Sequence, residues 1–370
     1  MKRPNIVLLL VDQHRWDALG AAGNELIRTP NLDRLAEQGT LFRNVFANCP
    51  VCMPSRMSLL SGRYPASLRV AANGIEMDPD IPCVQHILAQ HDYVTANIGK
   101  LHFRNHASYD RDHRDPHPPY GFHTLLSSDE PGCYDDAYTR WVASKNPDAL
   151  DDCRVSTPPA WTGPPVTAEP RNTHEPYVFR GPEELTHSAF VAEESAEFIT
   201  RHRHDRFFCV AGFYAPHTPV NPPQRFVDLY DESEMPLPRR NEGENFEGTT
   251  DAQWRKTKAY YYALISHVDD QIGKIVASLE ENGILENTVV IFTSDHGENL
   301  GDHGRVQKHE AWDSSARVPL IVRVPGSAHA TQRPREADGI VELVDLAPTI
   351  LDYAGVPTPR FMQGHSLAPV

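Results

Sequence analysis

Acidic and imidazole side chains follow two apolar runs that lie far apart in this sequence. Asp12 comes directly after residues 5–11, and Asp295 and His296 come just after residues 288–293. Parallel strands of an open α/β sheet end at one edge, so we expect these three side chains to lie together there. Two carboxylates and one imidazole suit Ca²⁺, Mg²⁺ or Mn²⁺ better than Zn²⁺, which takes more nitrogen and sulfur ligands. The alternative for Asp12 alone is that it caps a turn.

Residues 48–65, with the sequence NCPVCMPSRMSLLSGRYP, predict a short helix that begins near Cys52. Pro54 is tolerated in a first helical turn, and Gly62 can end the helix because it adopts positive φ readily. A helix N-terminus presents unpaired N–H groups and the positive end of the helix dipole, and Arg56 would add a fixed charge. The segment is therefore expected to bind an anion beside Cys52.

Cys49 and Cys52 also form a Cys-x-x-Cys pair, which could be a redox dithiol or half of a zinc site. A zinc site would need a second such pair, and the other four cysteines of the sequence do not provide one. A redox dithiol stays open, but it leaves the adjacent Pro-Ser-Arg sequence unexplained.

Cys-x-Pro-Ser-Arg followed by Ser-Leu-Leu-Ser-Gly-Arg-Tyr-Pro resembles the signature of the type I sulfatases, a family within the alkaline-phosphatase-like superfamily. The resemblance covers nearly the whole chain from Asn5 onwards. It implies an α/β fold of the alkaline-phosphatase-like type, a sandwich in which a large, mostly parallel central sheet is flanked by helices. It also implies that a formylglycine-generating maturation enzyme oxidises Cys52 to formylglycine, an aldehyde.

The resemblance further implies a metal site beside the formylglycine. Its ligands would be Cys52 in its oxidised form and four side chains that match the family motifs: Asp12, Gln13, Asp295 and His296. Many members carry two adjacent aspartates where this chain has Asp-Gln, and the Asp-Gln pair resembles the branch that contains choline sulfatases and phosphonate monoester hydrolases. The amide leaves the site one charge less negative. We expect one divalent cation, Ca²⁺ first, with Mn²⁺ and Mg²⁺ as the alternatives.

Cationic and imidazole side chains match further motifs of the family. Arg56, Lys100 and Lys308 would stabilise negative charge on the group that is transferred. His102 and His217 match the histidines that face the sulfate and the leaving group. His217 would be the general acid, with a pKa near neutrality.

The chemistry that the family implies is hydrolysis of sulfate monoesters. Hydrated formylglycine is a geminal diol: one hydroxyl, deprotonated by the metal, attacks sulfur, and the other loses its proton as the C=O reforms and sulfate leaves. A small-molecule sulfate ester is the expected partner, and Asn73 matches a substrate-side position of the choline-sulfatase-like branch. Besides the redox dithiol, two alternatives remain. One is a phosphonate monoester or phosphodiester hydrolase that uses the same residues, and the other is an immature protein that keeps Cys52 as a thiol and only binds anions.

Charge and composition limit the binding partners and the cellular compartment that this protein can have. The 370 residues carry a net charge of −15 with acids and bases interspersed, which argues against nucleic acid or an anionic membrane as a partner. The first apolar run ends at Asp12 without a small-x-small cleavage site, so a buried strand is favoured over a signal peptide. Six cysteines without framework spacing suit a reducing compartment. A cytoplasmic enzyme is expected.

The elements that must position these residues follow from periodicity. Continuous apolar runs predict buried strands at 5–11, 42–47, 93–98, 207–213, 288–293, 318–324 and 340–344. Capped or amphipathic segments predict helices at 29–39, 82–90, 184–203, 252–282 and 345–354. We expect one catalytic domain, 1–370, in which the proline-rich residues 105–182 are a loop-rich insertion that shapes the substrate pocket. The family's usual C-terminal subdomain is expected to be absent or truncated, and a homo-oligomer remains open.

Overall fold

Eight strands form one sheet through the centre of the protein. The computed structural model describes residues 3–104, 117–131, 135–154, 175–246, 248–326 and 336–368. The strands are β1 Asn5–Val11, β2 Thr40–Phe46, β3 Val94–Gly99, β4 Thr124–Ser127, β5 Phe207–Gly212, β6 Thr288–Ser294, β7 Arg317–Arg323 and β8 Glu336–Glu342. Their order is β4-β3-β5-β1-β6-β7-β2-β8, and every neighbouring pair is parallel except the two that include β7. The predicted α/β class with a large, mostly parallel sheet is confirmed.

Helices cover both faces of this sheet. They are α1 Pro30–Glu37, α2 Cys52–Ser61, α3 Pro65–Leu68, α4 Val84–Ala89, α5 Ala137–Lys145, α6 Leu150–Cys153, α7 His187–Arg201, α8 Gln224–Val227, α9 Asp251–Glu281, α10 Asp313–Ala316 and α11 Leu346–Tyr353. Helices α1, α5, α7 and α9 contribute to the core on one face, and α2, α4 and α11 to the core on the other. Among the residues that the structure describes, no helix is both long and apolar enough to cross a bilayer.

The apolar run of β1 supplies both cores. Its side chains alternate: Val7, Leu9 and Val11 join one core, and Ile6, Leu8 and Leu10 join the other. Each is 1% exposed or less. A strand that is covered on both faces has no position for an exposed polar residue, which explains why the run is unbroken until Asp12.

One local expectation differs from the structure. The strand expected at 340–344 lies earlier, as β8 at Glu336–Glu342, and residues 343–345 form a 3₁₀ turn. The described part of residues 105–182 contains three short elements, β4, which pairs with β3, and the helices α5 and α6, and the substrate-shaping role of this insertion stays a prediction. These elements are only four to nine residues long, which is too short to give a periodic signal. The other predicted elements match within a few residues.

A buried carboxylate joins α1 to α9. Asp269 of α9 accepts hydrogen bonds from the backbone N–H groups of Asn31 (3.1 Å) and Leu32 (2.8 Å). These groups belong to the first turn of α1, where N–H groups have no partner within their own helix. Thr29, which precedes α1, makes no side-chain cap. Asp269 therefore caps α1 from a distant helix.

Replacing Asp269 by alanine is expected to lower the free energy of unfolding by about 2 to 3 kcal/mol, because two buried N–H donors lose their acceptor. Urea unfolding followed by circular dichroism measures the change. Asp270→Ala is the matched control: this carboxylate is the next residue of α9 and pairs with Arg225 at the surface, so its loss should cost under ~1 kcal/mol. Equal losses in the two variants would contradict the capping role.

Candidate active site

The order of the strands brings the predicted carboxylates to one edge of the sheet. β1 and β6 are neighbours, and Val11 at the end of β1 pairs with Ser294 at the end of β6. Asp12 and Asp295 follow directly, so they stand side by side. Both are completely buried. The prediction that parallel strand ends would bring these two residues together is confirmed.

The next two strands bring a lysine to the same edge. β5 lies between β1 and β3, and Gly212 at its end pairs with Gly99 of β3, which Lys100 follows. The backbone N–H of Lys100 donates to the carbonyl oxygen of Gly212 at 2.7 Å. A Cβ atom on Gly212 would lie 2.2 Å from the carbonyl oxygen of Lys100, so this close approach requires glycine.

Helix α2 presents Cys52 to this edge from its first residue. As predicted, the helix ends where Gly62 adopts a left-handed φ of 66°. The backbone N–H of Met53 donates to the side-chain oxygen of Asn73 at 3.0 Å, so Asn73 caps the helix that carries Cys52. Cys52 is 1% exposed, whereas Asn73 lies at the surface. A substrate-side role for Asn73 stays a prediction.

Arg56 ties α2 to both strand ends. It is fully buried, its Nε donates to Asp295 Oδ2 at 2.6 Å, and its Nη2 lies 3.5 Å from Asp12 Oδ2. Its Nη1 donates to the carbonyl oxygen of Lys100 at 2.9 Å. Burial lowers the pKa of Arg56, but the two carboxylates raise it more, so the net shift is upward. Arg56 is a fixed cation that holds three elements together.

Four buried side chains converge on one point beside this pairing. Asp12 Oδ1 lies 3.5 Å from His296 Nε2 and 3.9 Å from Cys52 Sγ. His296 Nε2 lies 3.1 Å from Cys52 Sγ and 3.6 Å from Asp295 Oδ1. The four ligand atoms lie within 4.8 Å of one another. Ligands held at about 2.3–2.6 Å from an ion such as Ca²⁺ have mutual separations of this order.

Each carboxylate divides its two oxygens between this point and a cationic side chain. Asp12 Oδ2 forms an ion pair with Lys100 Nζ at 2.6 Å, and Asp295 Oδ2 forms one with Arg56 Nε at 2.6 Å. The Oδ1 atoms are left to face the point of convergence. Burial raises the pKa of Asp12, but Lys100 and the other nearby cationic groups hold it well below its usual value. Asp12 is therefore kept as an acceptor, as a metal ligand must be.

His296 is oriented for metal binding by its backbone surroundings. Its Nδ1 lies 2.9 Å from the carbonyl oxygen of Gly297, so Nδ1 carries a proton and Nε2 faces Cys52 and the carboxylates. Such an outer hydrogen bond is usual for histidine ligands. Burial lowers the pKa of His296, but Asp295 and Cys52 outweigh it and the net shift is upward. A cation would compete with a proton for Nε2. The residues present fit a divalent cation, and they include all the predicted ligands except Gln13.

Buried cations outnumber the two carboxylates around residue 52. They are Arg56, Lys100 and Lys308, and none is more than 5% exposed. Burial and Asp12 raise the pKa of the Cys52 thiol, but Lys308, His296 and Lys100 lower it more, so the net shift is downward. The surroundings therefore favour negative charge at this position.

His217 lies in the loop after β5, and its ionisation differs from the expectation. Its Nδ1 lies 2.6 Å from the carbonyl oxygen of Thr218. Burial, together with Lys308 and Lys100, holds the pKa of His217 well below its usual value, although Asp12 opposes the shift. The expected pKa near neutrality is wrong for the free protein, because sequence analysis did not include the cost of burying an imidazolium beside two ammonium groups.

His102 lies two residues beyond Lys100 and is buried. Its backbone has a positive φ of 56°, and its N–H donates to the Asp129 carboxylate at 2.8 Å, beside the N–H of Leu101 at 2.7 Å. Asp129 thus holds the turn that follows β3. The sulfate-facing or leaving-group-facing role of His102 stays a prediction.

Gln13 is held on several sides next to the metal-binding point. It has a left-handed φ of 69°, its N–H donates to Asp295 Oδ1 at 3.2 Å, and its carbonyl oxygen accepts from Tyr261 at 2.7 Å. Its side-chain amide lies between Lys308 and Glu298. Sequence analysis missed Glu298, because a glutamate in a polar run gives no sign that it is buried.

A cavity of about 290 Å³ is lined in part by Gln13 and Glu298. Thr218, from the loop of His217, and the apolar side chains of Val220 and Leu300 also line it. The cavity therefore lies beside the Gln13 side chain, and it has the concave, partly apolar lining that small-molecule sites require.

Comparison with known proteins agrees with this arrangement. The chain is similar to the arylsulfatase of Clostridium perfringens (strain 13 / Type A), with 31% identity over 99% of this chain and 78% of that protein. It is 28% identical to the choline-sulfatase of Rhizobium meliloti (strain 1021), over 100% of this chain and 71% of that protein. The crystal structure of the phosphonate monoester hydrolase of Agrobacterium radiobacter matches with a TM-score of 0.82 and 26% identity, over 99% of this chain and 77% of that one.

The family resemblance seen in the sequence is thereby confirmed. A family model described as Sulfatase matches residues 4–356, which is nearly the whole chain. The same edge of the sheet carries the cysteine motif and the buried carboxylates. The chain therefore belongs to the sulfatase family of alkaline-phosphatase-like enzymes.

Proposed function

We propose that this protein hydrolyses sulfate monoesters of small molecules, with formylglycine made from Cys52 as the nucleophile and one divalent cation beside it. The observation that carries the proposal is the convergence of Asp12, Cys52, Asp295 and His296 within 4.8 Å at the first residue of a helix. Membership of the sulfatase family supports the same reaction. Maturation would require a formylglycine-generating enzyme that acts on the Cys-x-Pro-Ser-Arg sequence.

The charges around residue 52 suit an anionic substrate. Arg56 and Lys100 are paired with the two carboxylates, and the ammonium group of Lys308, which is bonded to the neutral Gln13 amide, adds a third buried cation at the same edge. The outer oxygens of the sulfate group carry negative charge, and further negative charge develops on the leaving oxygen as the ester bond breaks. Fixed cations at this edge can therefore stabilise the transition state more strongly than they stabilise the bound substrate. The chain's net charge of −15 would repel such an anion, and the local cations must overcome this.

The metal site would be formed by residue 52 with Asp12, Asp295 and His296. The amide of Gln13 is held between Lys308 and Glu298, so Gln13 contributes its backbone N–H, which donates to Asp295 Oδ1. When bound, Ca²⁺, or Mn²⁺ or Mg²⁺ in its place, would lower the pKa of a hydroxyl on residue 52 and offset charge on the sulfate group. The protein contributes the orientation: the two Oδ1 atoms and His296 Nε2 already point to one place.

His217 would give its proton to the leaving oxygen as the bond between sulfur and that oxygen breaks. Its imidazole is neutral in the free protein, because burial and the two lysines lower its pKa. A bound sulfate ester brings negative charge next to those lysines, which would raise the pKa of His217 at the moment an acid is needed. The proton is then taken up with the substrate.

A second candidate is the hydrolysis of phosphonate monoesters or phosphodiesters. The structural match to a phosphonate monoester hydrolase favours it, and phosphorus and sulfur centres need similar cationic surroundings. The ratio of kcat/KM for 4-nitrophenyl sulfate to that for an aryl phosphonate monoester separates the two candidates. A ratio well above one supports the sulfatase assignment, and a ratio well below one replaces it with the second.

Mass spectrometry of the peptide that contains residue 52, after co-expression with a maturation enzyme, is expected to show a residue lighter than cysteine that reacts with carbonyl reagents. Cys52→Ala should abolish both the aldehyde and hydrolysis. Cys49→Ala is the matched control and should keep both, since only a redox pair would need the second thiol. Loss of activity in both variants, with residue 52 still a thiol, would contradict the proposal.

Removing divalent cations with EDTA is expected to abolish hydrolysis but to leave the protein folded, because Arg56 and Lys100 still neutralise the two carboxylates. Adding Ca²⁺ back should restore the activity of the wild type. The variant Asp295→Asn should bind Ca²⁺ at least tenfold more weakly than the wild type does. Titration calorimetry measures the affinity and circular dichroism the fold. Activity that is indifferent to chelation would argue against the metal site.

His217→Gln is expected to lower kcat/KM by about 10²- to 10⁴-fold for alkyl sulfates and by less for 4-nitrophenyl sulfate, whose leaving group needs little protonation. Because the pKa of His217 lies well below its usual value, its acidic form is scarce at neutral pH, so kcat/KM for alkyl sulfates should rise as pH falls. The variant should lack this rise. An equal loss for both substrates would show that His217 is not the acid.

A further inference from the structure

Glu298 is a buried carboxylate for which the reaction above has no use. It is 4% exposed, and it lies in the loop that links the Asp295–His296 pair to Lys308. Its Oε1 accepts backbone N–H groups from Leu300 at 2.9 Å and Gln307 at 2.5 Å. Its Oε2 accepts the side-chain NH₂ of Gln13. Both oxygens therefore meet donors only.

This pattern fixes the orientation of the Gln13 amide. A glutamine side chain has one accepting end and one donating end, and the choice between its two orientations follows from the neighbours. Glu298 offers only acceptors, so the NH₂ group must face it. The amide oxygen then faces the opposite way, where it accepts from Lys308 Nζ at 2.6 Å.

Lys308 is in turn part of the cationic surroundings of residue 52. It is 5% exposed, and its Nζ contacts the side chain of Gln13, the residue that follows Asp12 and whose backbone N–H donates to Asp295 Oδ1. The ammonium group therefore lies at the same edge of the sheet as the two carboxylates. An ammonium on a flexible four-carbon chain is useful for binding an anion only if something holds it in place. In this structure the acceptor that holds it is Gln13 Oε1.

We propose that Glu298 is a positioning residue that acts through Gln13, fixing the amide so that its oxygen holds Lys308 at the anion-binding edge. The inference rests on the proposed function in one respect, namely that Lys308 binds the anionic group of the substrate. The orientation itself is a property of three side chains in contact. Gln13 cannot hold Lys308 if its amide is reversed, because the NH₂ group would then face an ammonium.

Glu298→Gln tests this directly, because it keeps the shape and exchanges one oxygen for NH₂. The introduced amide has a single oxygen, which takes the place of Oε1 because the two backbone N–H groups of Leu300 and Gln307 both donate to that atom. Its NH₂ group must then face Gln13, whose amide should turn its oxygen towards residue 298 and its NH₂ towards Lys308. The double variant Gln13→Glu/Glu298→Gln restores the pattern, since a carboxylate at 13 accepts from both the amide and Lys308.

Crystal structures of the variants provide the first readout, which needs no substrate. In Glu298→Gln, Lys308 Nζ should move out of hydrogen-bond distance of residue 13, and in the double variant it should return. Calorimetry with inorganic sulfate gives the second: binding should weaken about tenfold or more in the single variant, as for loss of a charged hydrogen bond, and recover in the double variant. Glu310→Gln, in the same loop and bonded to Asn299, is the matched control and should match the wild type.

Retention of the Lys308 contact and of sulfate affinity in Glu298→Gln overturns the proposal. So does a loss that the double variant does not recover, because it would show that Glu298 only stabilises the loop. Should Glu298→Gln fail to fold, the double variant decides: a folded protein with Lys308 against residue 13 supports the proposal, and any other result overturns it. If the wild type proves not to hydrolyse sulfate esters, the proposed function fails while the crystallographic readout still tests the positioning.

Discussion

The guanidinium group of Arg56 is the contact on which this site depends. It is buried against Asp295 and Asp12, which directly follow two different strands, and it lies four residues after Cys52 on the same helix. Residues four apart lie on one face of a helix, so fixing Arg56 also fixes Cys52. Breaking such a buried pair by removing one partner costs about 3 to 5 kcal/mol, so the site and the fold are stabilised by the same contact.

Because of this contact, each of the two carboxylates uses one oxygen in an ion pair and presents the other to the metal-binding point. Asp12 and Asp295 each use one oxygen to neutralise a buried cation, and this leaves the other oxygen with a fixed direction. The direction of each free oxygen is therefore set by the protein's own ion pairs. The same pairing lets a chain with a net charge of −15 present local positive charge to an anion, because screening at physiological salt limits the overall field to about 8 Å.

Sequence patterns predicted the parts of the site that lie at the ends of regular elements. Asp12, Asp295 and Cys52 each adjoin a strand or helix whose composition is unmistakable, and topology rules then place those ends together. Features that depend on contacts between distant residues were out of reach, since no local pattern marks them. The cap that Asn73 provides for α2 belongs to this class. So does the lowered pKa of His217, which depends on how deeply a loop is buried.

The glutamine at position 13 shows how such a distant contact changes the interpretation of a motif. By sequence, an amide in place of the family's common second aspartate removes one negative charge from the site. In the structure, the carboxyl group of Glu298 accepts from that amide, so a carboxyl group lies behind Gln13 on the side away from Lys308. The amide between Glu298 and Lys308 separates an anion and a cation that would otherwise pair directly, which leaves the ammonium group able to interact with a substrate.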